Sequence, residues 1–204
     1  MPARDIRLLA TSWGMTAAKD REEQLVTRAR AGERAAFEEL VREHADRLHA
    51  VVLRVCGDGH EAEEITQETF VRAWRSLDGF EGRSQFFTWL YRIGVNETMR
   101  RLERRGRGLR TASLEDPAME VADEREGPEG RAEAGDLRRA LDRAILDLPV
   151  DYRMPLVLRD VEGLSTAEAA AIMQLGEAAF KSRLHRARLA VREAVEPFVG
   201  GEGA

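Results

Sequence analysis

"STAEAAAIMQLGEAAFKSRLHRARLAVREAV", residues 165–195, decides the fold. A short Ala-rich segment leads into Gln174, Leu175 and Gly176, and a longer segment follows. Ser165 and Glu168 form a capping box, in which each side chain satisfies a backbone N–H left free at a helix start. In the longer segment Phe180, Leu184, Ala187 and Val191 recur at helical spacing, a narrow stripe that must face a core. Lys181, Ser182, His185 and Arg186, with Ala178, point away from it. The pattern predicts two helices joined by a tight turn, the form in which a second helix enters a DNA major groove. The outward face offers a guanidinium for bidentate contact, a point charge, a hydroxyl and a small residue that permits close approach. A solvated basic face on a structural helix is the plainer reading. The cap, the clean stripe and the basic N-terminal half together favour DNA.

Around this stretch the spacing predicts helices at about 137–147, 151–161, 165–173 and 177–195, with Pro149 separating the first two. Upstream, "TASLEDPAMEVADEREGPEGRAEAGD" (111–136) has prolines at 117 and 128, scattered glycines and no sustained apolar period. It reads as a mostly unstructured linker. It holds nine acids against Arg125 and Arg131, a net −7, so the rest of a chain of net charge −5 carries +2. The mean conceals an acidic strap between two domains with basic patches.

Before the strap lies "SQFFTWLYRIGVNETMRRLERRGR" (84–107), with four aromatics in its first eight positions and six arginines in the remaining sixteen. On a helical wheel Tyr91, Val95, Met99 and Leu102 form one stripe that should face the core. Trp89, Asn96 and Arg100 share another face. Asn bonds an unpaired base edge, Trp stacks on a base and Arg holds the backbone. For Trp89 alone, simple burial is the plainer alternative. "HEAEEITQETFVRAWRSL" (60–77) puts Ile65, Thr69 and Ala73 on one stripe, with Phe70 and Trp74 four apart beside it. Gly32 interrupts a helical pattern, Gly57 and Gly59 end the next, and "DGFEGR" (78–83) is a loop. Four helices with short connections make a compact all-α domain.

The predicted organisation is therefore an N-terminal extension (1–19, with Met15 as an alternative start), a helical domain (20–108), the acidic linker (109–136), a second helical domain (137–199) and a short tail (200–204). The first 19 residues are expected to be disordered. Ala, Leu, Arg and Glu dominate the 204 residues, charged residues make up 34% and aromatics 6%, a balance that favours helix. No run approaches the roughly 20 apolar residues of a membrane span, and the start lacks the form of a secretory signal. Cys56 stands alone, which rules out a disulfide framework or a cysteine-based metal site within the chain. A cytoplasmic protein without cofactor or metal is expected. An enzyme finds little support. His44 and His49 are five apart, a spacing that does not superimpose them on a helix. His60, Glu61 and Glu63 sit at a helix start, where the acids favour the dipole. No Gly-rich phosphate loop and no paired nucleophile and base appear.

Two blocks, "EEITQETFVRAWRSLDGFEGRSQFFTWLYRIGVNETMRR" (63–101) and "LPVDYRMPLVLRDVEGLSTAEAAAIMQLGEAAFKSRLHRARLAVREAV" (148–195), resemble the bacterial extracytoplasmic-function (ECF) sigma factors. These are RNA polymerase subunits that recognise and open promoters. The resemblance implies an all-α protein of two small helical domains, a four-helix sigma region two and a helix-turn-helix region four, joined by a flexible acidic linker. It implies that Glu63, Glu64, Gln67, Glu68, Phe70, Arg72 and Trp74 lie on the surface that grips the β′ clamp helices of core polymerase. Phe80, Gly82, Ser84, Gln85, Trp89, Arg92, Asn96, Arg100 and Arg104 would bind and melt the minus-ten element. Ala178, Ala179, Lys181, Ser182, His185 and Arg186 would read the minus-thirty-five element, with their domain resting on the β flap. The acidic strap would thread the polymerase cleft as a nucleic-acid mimic. An anti-sigma factor is the expected regulator. Three departures stand out: Ala178-Ala179 where many relatives have Gly-Thr, Glu177 at the start of the recognition helix, and Gln174 where glycine is frequent in the turn. The competing function is a conventional helix-turn-helix regulator with 20–108 as a sensing or dimerising domain. It leaves the Trp89/Asn96/Arg100 face and the acidic strap without a purpose.

Overall fold

The computed structural model describes residues 20–109 and 128–199. The N-terminal extension, most of the linker and the tail expected from the sequence lie outside the described residues. The first half comprises α1 (20–30), α2 (Arg34–Cys56), α3 (Gly59–Ser76), a 3₁₀ turn at Leu77–Gly79 and α4 (Phe86–Leu109). The glycines that break the sequence pattern do so by backbone geometry. Gly32 has φ +90° between α1 and α2. Gly57, at φ +74°, donates its N–H to the Leu53 carbonyl and closes α2 in the left-handed conformation that glycine adopts without a Cβ clash. Asp58 then starts α3 by accepting the Glu61 N–H. The predicted α3 stripe is interior, with Ile65, Thr69 and Ala73 at 0% exposure. Thr69 spends its hydroxyl on the Ile65 carbonyl at 2.7 Å, so a polar group sits in the core fully paired.

The second half comprises α5 (Pro128–Asp147), α6 (Val150–Leu156), a π-helical turn at Val157–Val161, α7 (Thr166–Ile172) and α8 (Glu177–Val199). α5 starts earlier than the sequence suggested, so the last part of the expected linker is helical. Proline suits the first position of a helix, where no N–H partner is needed. The π turn follows Pro155, which has no N–H to give. Glu162 N–H reaches back five residues to the Val157 carbonyl at 2.9 Å. Phe180, Leu184, Ala187 and Val191 are all buried, and α5 and α6 pack against α8.

The halves are docked on one another, α7 against α4 and the π turn against α2. Arg47 Nε donates to Glu162 Oε2 at 3.1 Å, and its Nη2 to the Glu162 carbonyl at 3.2 Å. Arg153 reaches across the seam. Its guanidinium donates to the Val55 carbonyl at the end of α2 and to the Leu146 and Leu148 carbonyls at the end of α5, the last at 2.8 Å. Helix C-termini carry partial negative charge, and here two of them converge on one cation. Burial pulls the Arg153 guanidinium below its ordinary range, and the nearby Asp147 carboxylate opposes that pull.

Gly57 also faces the seam: a Cβ there would lie 2.8 Å from Leu146 Cδ2. Gly57→Ala is expected to destabilise the protein by about 1–3 kcal/mol, combining left-handed strain with that clash. Urea unfolding measures the loss. In a Leu146→Ala background, itself the reference, the cost should fall to the backbone part. An unchanged midpoint for Gly57→Ala would contradict the seam as described.

Candidate nucleic-acid interface

The outward face of α8 is set by the turn that precedes it and by its first turns. Ser165 starts α7 with the predicted capping box: Glu168 N–H donates to Ser165 Oγ at 3.2 Å, and Ser165 N–H to Glu168 Oε2 at 2.9 Å. Those bonds hold the Glu168 carboxyl below its usual range. The cap's contribution is therefore intact at neutral pH and fades as the pH falls through that lowered value. The turn passes through Gln174 at φ +55°, a left-handed position without glycine. α8 then presents Ala178, Ala179, Lys181, Ser182, His185 and Arg186 to solvent. Lys181 pairs with Glu177 at 3.1 Å, so the acid at the helix start partly neutralises the point charge. Arg186 Nη1 donates to the Tyr152 hydroxyl at 3.3 Å and Arg183 Nη1 to Asp151 at 3.1 Å. Both contacts line a cleft between α6 and α8. Arg188 grips Asp160 through two hydrogen bonds, at 2.8 and 2.6 Å, and fixes α8 against the π turn.

α4 divides its surface. Tyr91 and Val95 are buried, and Met99 and Leu102 pack partly buried against the core. Asn96, Arg100 and Arg104 are exposed and Arg92 is half-buried. Two residues assigned to the same surface lie inside. Phe80 is 7% and Trp89 8% exposed, and their rings pack on each other at 5.2 Å between centroids and on Phe86. Phe80, at the start of the 80–85 loop, packs its ring on Trp89 at the start of α4, whereas Asn96, two turns further on, is exposed. Gly82, Ser84 and Gln85 stay exposed on that loop.

They face a wall that the sequence did not reveal. Glu22, Val26, Thr27 and Arg30 of α1 line one side of a cleft, and Phe80, Gly82, Ser84 and Gln85 the other. Arg30 Nη2 donates to the Asp78 carbonyl at 3.3 Å, and His44 Nε2 meets Glu22 at 2.9 Å. Nothing in the 20–30 pattern marks this role, because the contact is tertiary.

On α3, Glu63, Glu64 and Gln67 are exposed and Glu68 and Arg72 half-buried. Trp74 is 39% exposed and packs on Phe37 at 4.9 Å, while Phe70 is buried. All three of the acids are already engaged: Glu68 takes Arg72 Nε at 2.8 Å, Glu63 accepts from Gln67 Nε2 at 3.2 Å, and Glu64 pairs with Arg101 of α4. Arg105 joins Glu61 at 3.3 Å, so a ladder of ion pairs fastens α4 to α3.

This arrangement, a helix-turn-helix with an outward basic face and a separate α-domain with an arginine-rich helix, defines a two-domain DNA-binding protein of the sigma type. Residues 40–108 match the family Sigma-70 region 2, and residues 138–191 match Sigma-70, region 4. The RNA polymerase sigma-H factor of Pseudomonas aeruginosa is 34% identical over 187 residues, 89% of this chain and 97% of its own length. The ECF RNA polymerase sigma-E factor of Escherichia coli is 36% identical over 186 residues, 87% of this chain and 96% of its own. Among solved structures, the sigma factor RpoE of Bartonella quintana, in complex with the anti-sigma factor NepR, superposes with a TM-score of 0.62. It is 27% identical, with 78% of this chain and 96% of that one covered. CnrH in complex with the cytosolic domain of CnrY also gives 0.62, at 28% identity over 87% of this chain and 99% of that one. The chain belongs to the ECF sigma factors of RNA polymerase. Among the described residues no helix is long and apolar enough to cross a membrane.

Gln174 offers a direct check on the helix-turn-helix geometry. Gln174→Gly removes a left-handed strain of about 1–2 kcal/mol but loosens the unfolded chain, which offsets about 0.4–1 kcal/mol of it. A net gain of roughly 0.5–1 kcal/mol is expected, read as a raised thermal midpoint. A lowered midpoint would show that the turn does not adopt this conformation.

Proposed function

We propose that the chain directs core RNA polymerase to promoters through three separate faces. The α3 surface around Gln67, Arg72 and Trp74 docks on the β′ clamp helices. The exposed α8 residues Lys181, Ser182, His185 and Arg186 read the minus-thirty-five element in the major groove, with Ala178 and Ala179 allowing close approach. Their domain rests on the β flap. The loop over 80–85 and the α4 residues Arg92, Asn96, Arg100 and Arg104 take hold of the minus-ten strand as it leaves the duplex. Phe80 and Trp89 supply the aromatic floor under that loop. The chain works by binding rather than catalysis, in the cytoplasm where its polymerase is. An anti-sigma factor holds it inactive, a reading supported by the superposed RpoE of Bartonella quintana, which is bound to the anti-sigma factor NepR.

The observation that carries this reading is the division of α4. A helix locked into the core along one stripe offers an exposed amide and two exposed guanidinium groups on the other, and a glycine-bearing loop that rims a cleft precedes its first turn. Unstacking a base costs a few kcal/mol, and a hydrogen bond from an amide to the extruded edge returns part of it with discrimination. Asn96→Ala is therefore expected to leave core binding and closed-complex formation nearly unchanged and to reduce strand opening about tenfold. Permanganate reactivity of unpaired thymines measures opening, and a pre-melted bubble promoter should restore transcription. Normal opening on duplex DNA would overturn the base-capture role. Equal loss on duplex and bubble, with core binding lost, would make Asn96 a structural residue.

A further inference from the structure

Glu97 is the one acid in the core of the described residues: it is 4% exposed, on a helix whose functional face is basic. Three guanidinium groups converge on it. Arg100 Nη1 donates to Oε2 at 3.3 Å, Arg72 Nη2 lies 3.4 Å from the same oxygen, and Arg104 Nη2 donates to Oε1 at 3.4 Å. Arg104 Nε also donates to the Arg100 carbonyl at 3.3 Å. The acid is buried but its partners are not: Arg72, Arg100 and Arg104 keep side-chain exposures of 41, 54 and 60%. Each guanidinium has five N–H donors, so binding the acid by its inner edge leaves outer donors facing solvent. Even with Glu68 paired to Arg72, three cations face two acids, and the cluster keeps an excess positive charge.

A buried carboxylate in this setting does two things. It holds long, flexible side chains in one geometry, so less rotamer freedom is lost when they bind. It also sets Arg100 and Arg104, one helical turn apart and so about 6 Å along the axis, as neighbours on the side of α4 that carries Asn96. Successive phosphates of an extended strand fit such a pair. Arg72 comes from α3, so the same carboxylate connects the strand-holding surface with the polymerase-docking surface.

We propose that Glu97 is a positioning residue for promoter opening: it presents Arg100 and Arg104 as a preset grip on the phosphates of the strand captured at Asn96. The inference rests on the reading of α4 given above. It assigns a purpose to an acid that would otherwise weaken a phosphate-binding surface.

The test is a mutant cycle in holoenzyme assembled from the full chain and core polymerase, with permanganate reactivity on a duplex promoter as the readout. Glu97→Gln should lower the open-complex yield about tenfold, the scale of losing charged hydrogen bonds to one buried group, while core binding is kept because Glu68 still holds Arg72 at 2.8 Å. Glu97→Asp retains the charge one methylene short and should recover part of the yield. Adding Glu97→Gln to the double variant Arg100→Ala/Arg104→Ala should cost nothing further, because residues that act as a unit are non-additive. An equal loss from Glu97→Gln in both backgrounds would overturn the proposal and leave Glu97 a packing residue. So would wild-type opening in Glu97→Gln. If Glu97→Gln does not fold, Glu97→Asp takes its place in the cycle, and the same two outcomes overturn the proposal. Normal opening in the arginine double variant is a different failure, since it removes the reading of α4 itself.

Discussion

Gly94 makes the contact on which the orientation of α4 depends. A Cβ at that position would lie 2.9 Å from Leu48 Cδ1 of α2 and 3.5 Å from Thr69 Cγ2 of α3. The missing side chain lets α4 approach the Leu48 methyl of α2 this closely, with Thr69 of α3 at ordinary contact distance, and this packing helps set the roll of α4, that is, which side of it turns inward. With that roll set, Tyr91 and Val95 turn inward, and Asn96, Arg100 and Arg104 turn out. The ion pairs from Arg101 to Glu64 and from Arg105 to Glu61 fasten the same roll further along the helix. Exposed ion pairs add little stability one by one. Their part here is registry, because a turned α4 would carry its apolar stripe out of the core.

The seam between the halves is of another kind. It joins an arginine shared by three carbonyls, the Arg47–Glu162 pair and the tight fit of Leu146 over Gly57. Interfaces between domains of one chain are more polar than obligate interfaces, and relative domain motion across them is the ordinary expectation. The α8 face and the α4 face stand on different halves, which pack on one another along this seam and through α7 against α4.

Much of this was legible in the sequence because periodicity reports burial directly. The stripe Phe180, Leu184, Ala187 and Val191 and the box Ser165–Glu168 stand in the structure as spacing predicted. Gly32 and Gly57 punctuate the helices where the pattern broke. What escaped was tertiary. A helical wheel grouped Trp89 with Asn96, but it could not show that the rings of Phe80 and Phe86 bury only the first of them. Acidic, glycine-bearing composition hid the start of α5 at Pro128. The burial of Glu97 has no local signal, since it comes from the packing of α3 against α4. The α1 wall and the docking of the two halves had no local signal at all.

The central claim is that these faces act together within polymerase, and run-off transcription tests it most directly. Purified chain is added to core polymerase free of other sigma factors, over a pool of genomic promoter fragments. The account predicts discrete start sites that appear only when chain and core are both present, with the chain bound to core one to one in the absence of DNA. Specific DNA binding by the chain alone, with no core binding and no chain-dependent transcripts, would contradict it.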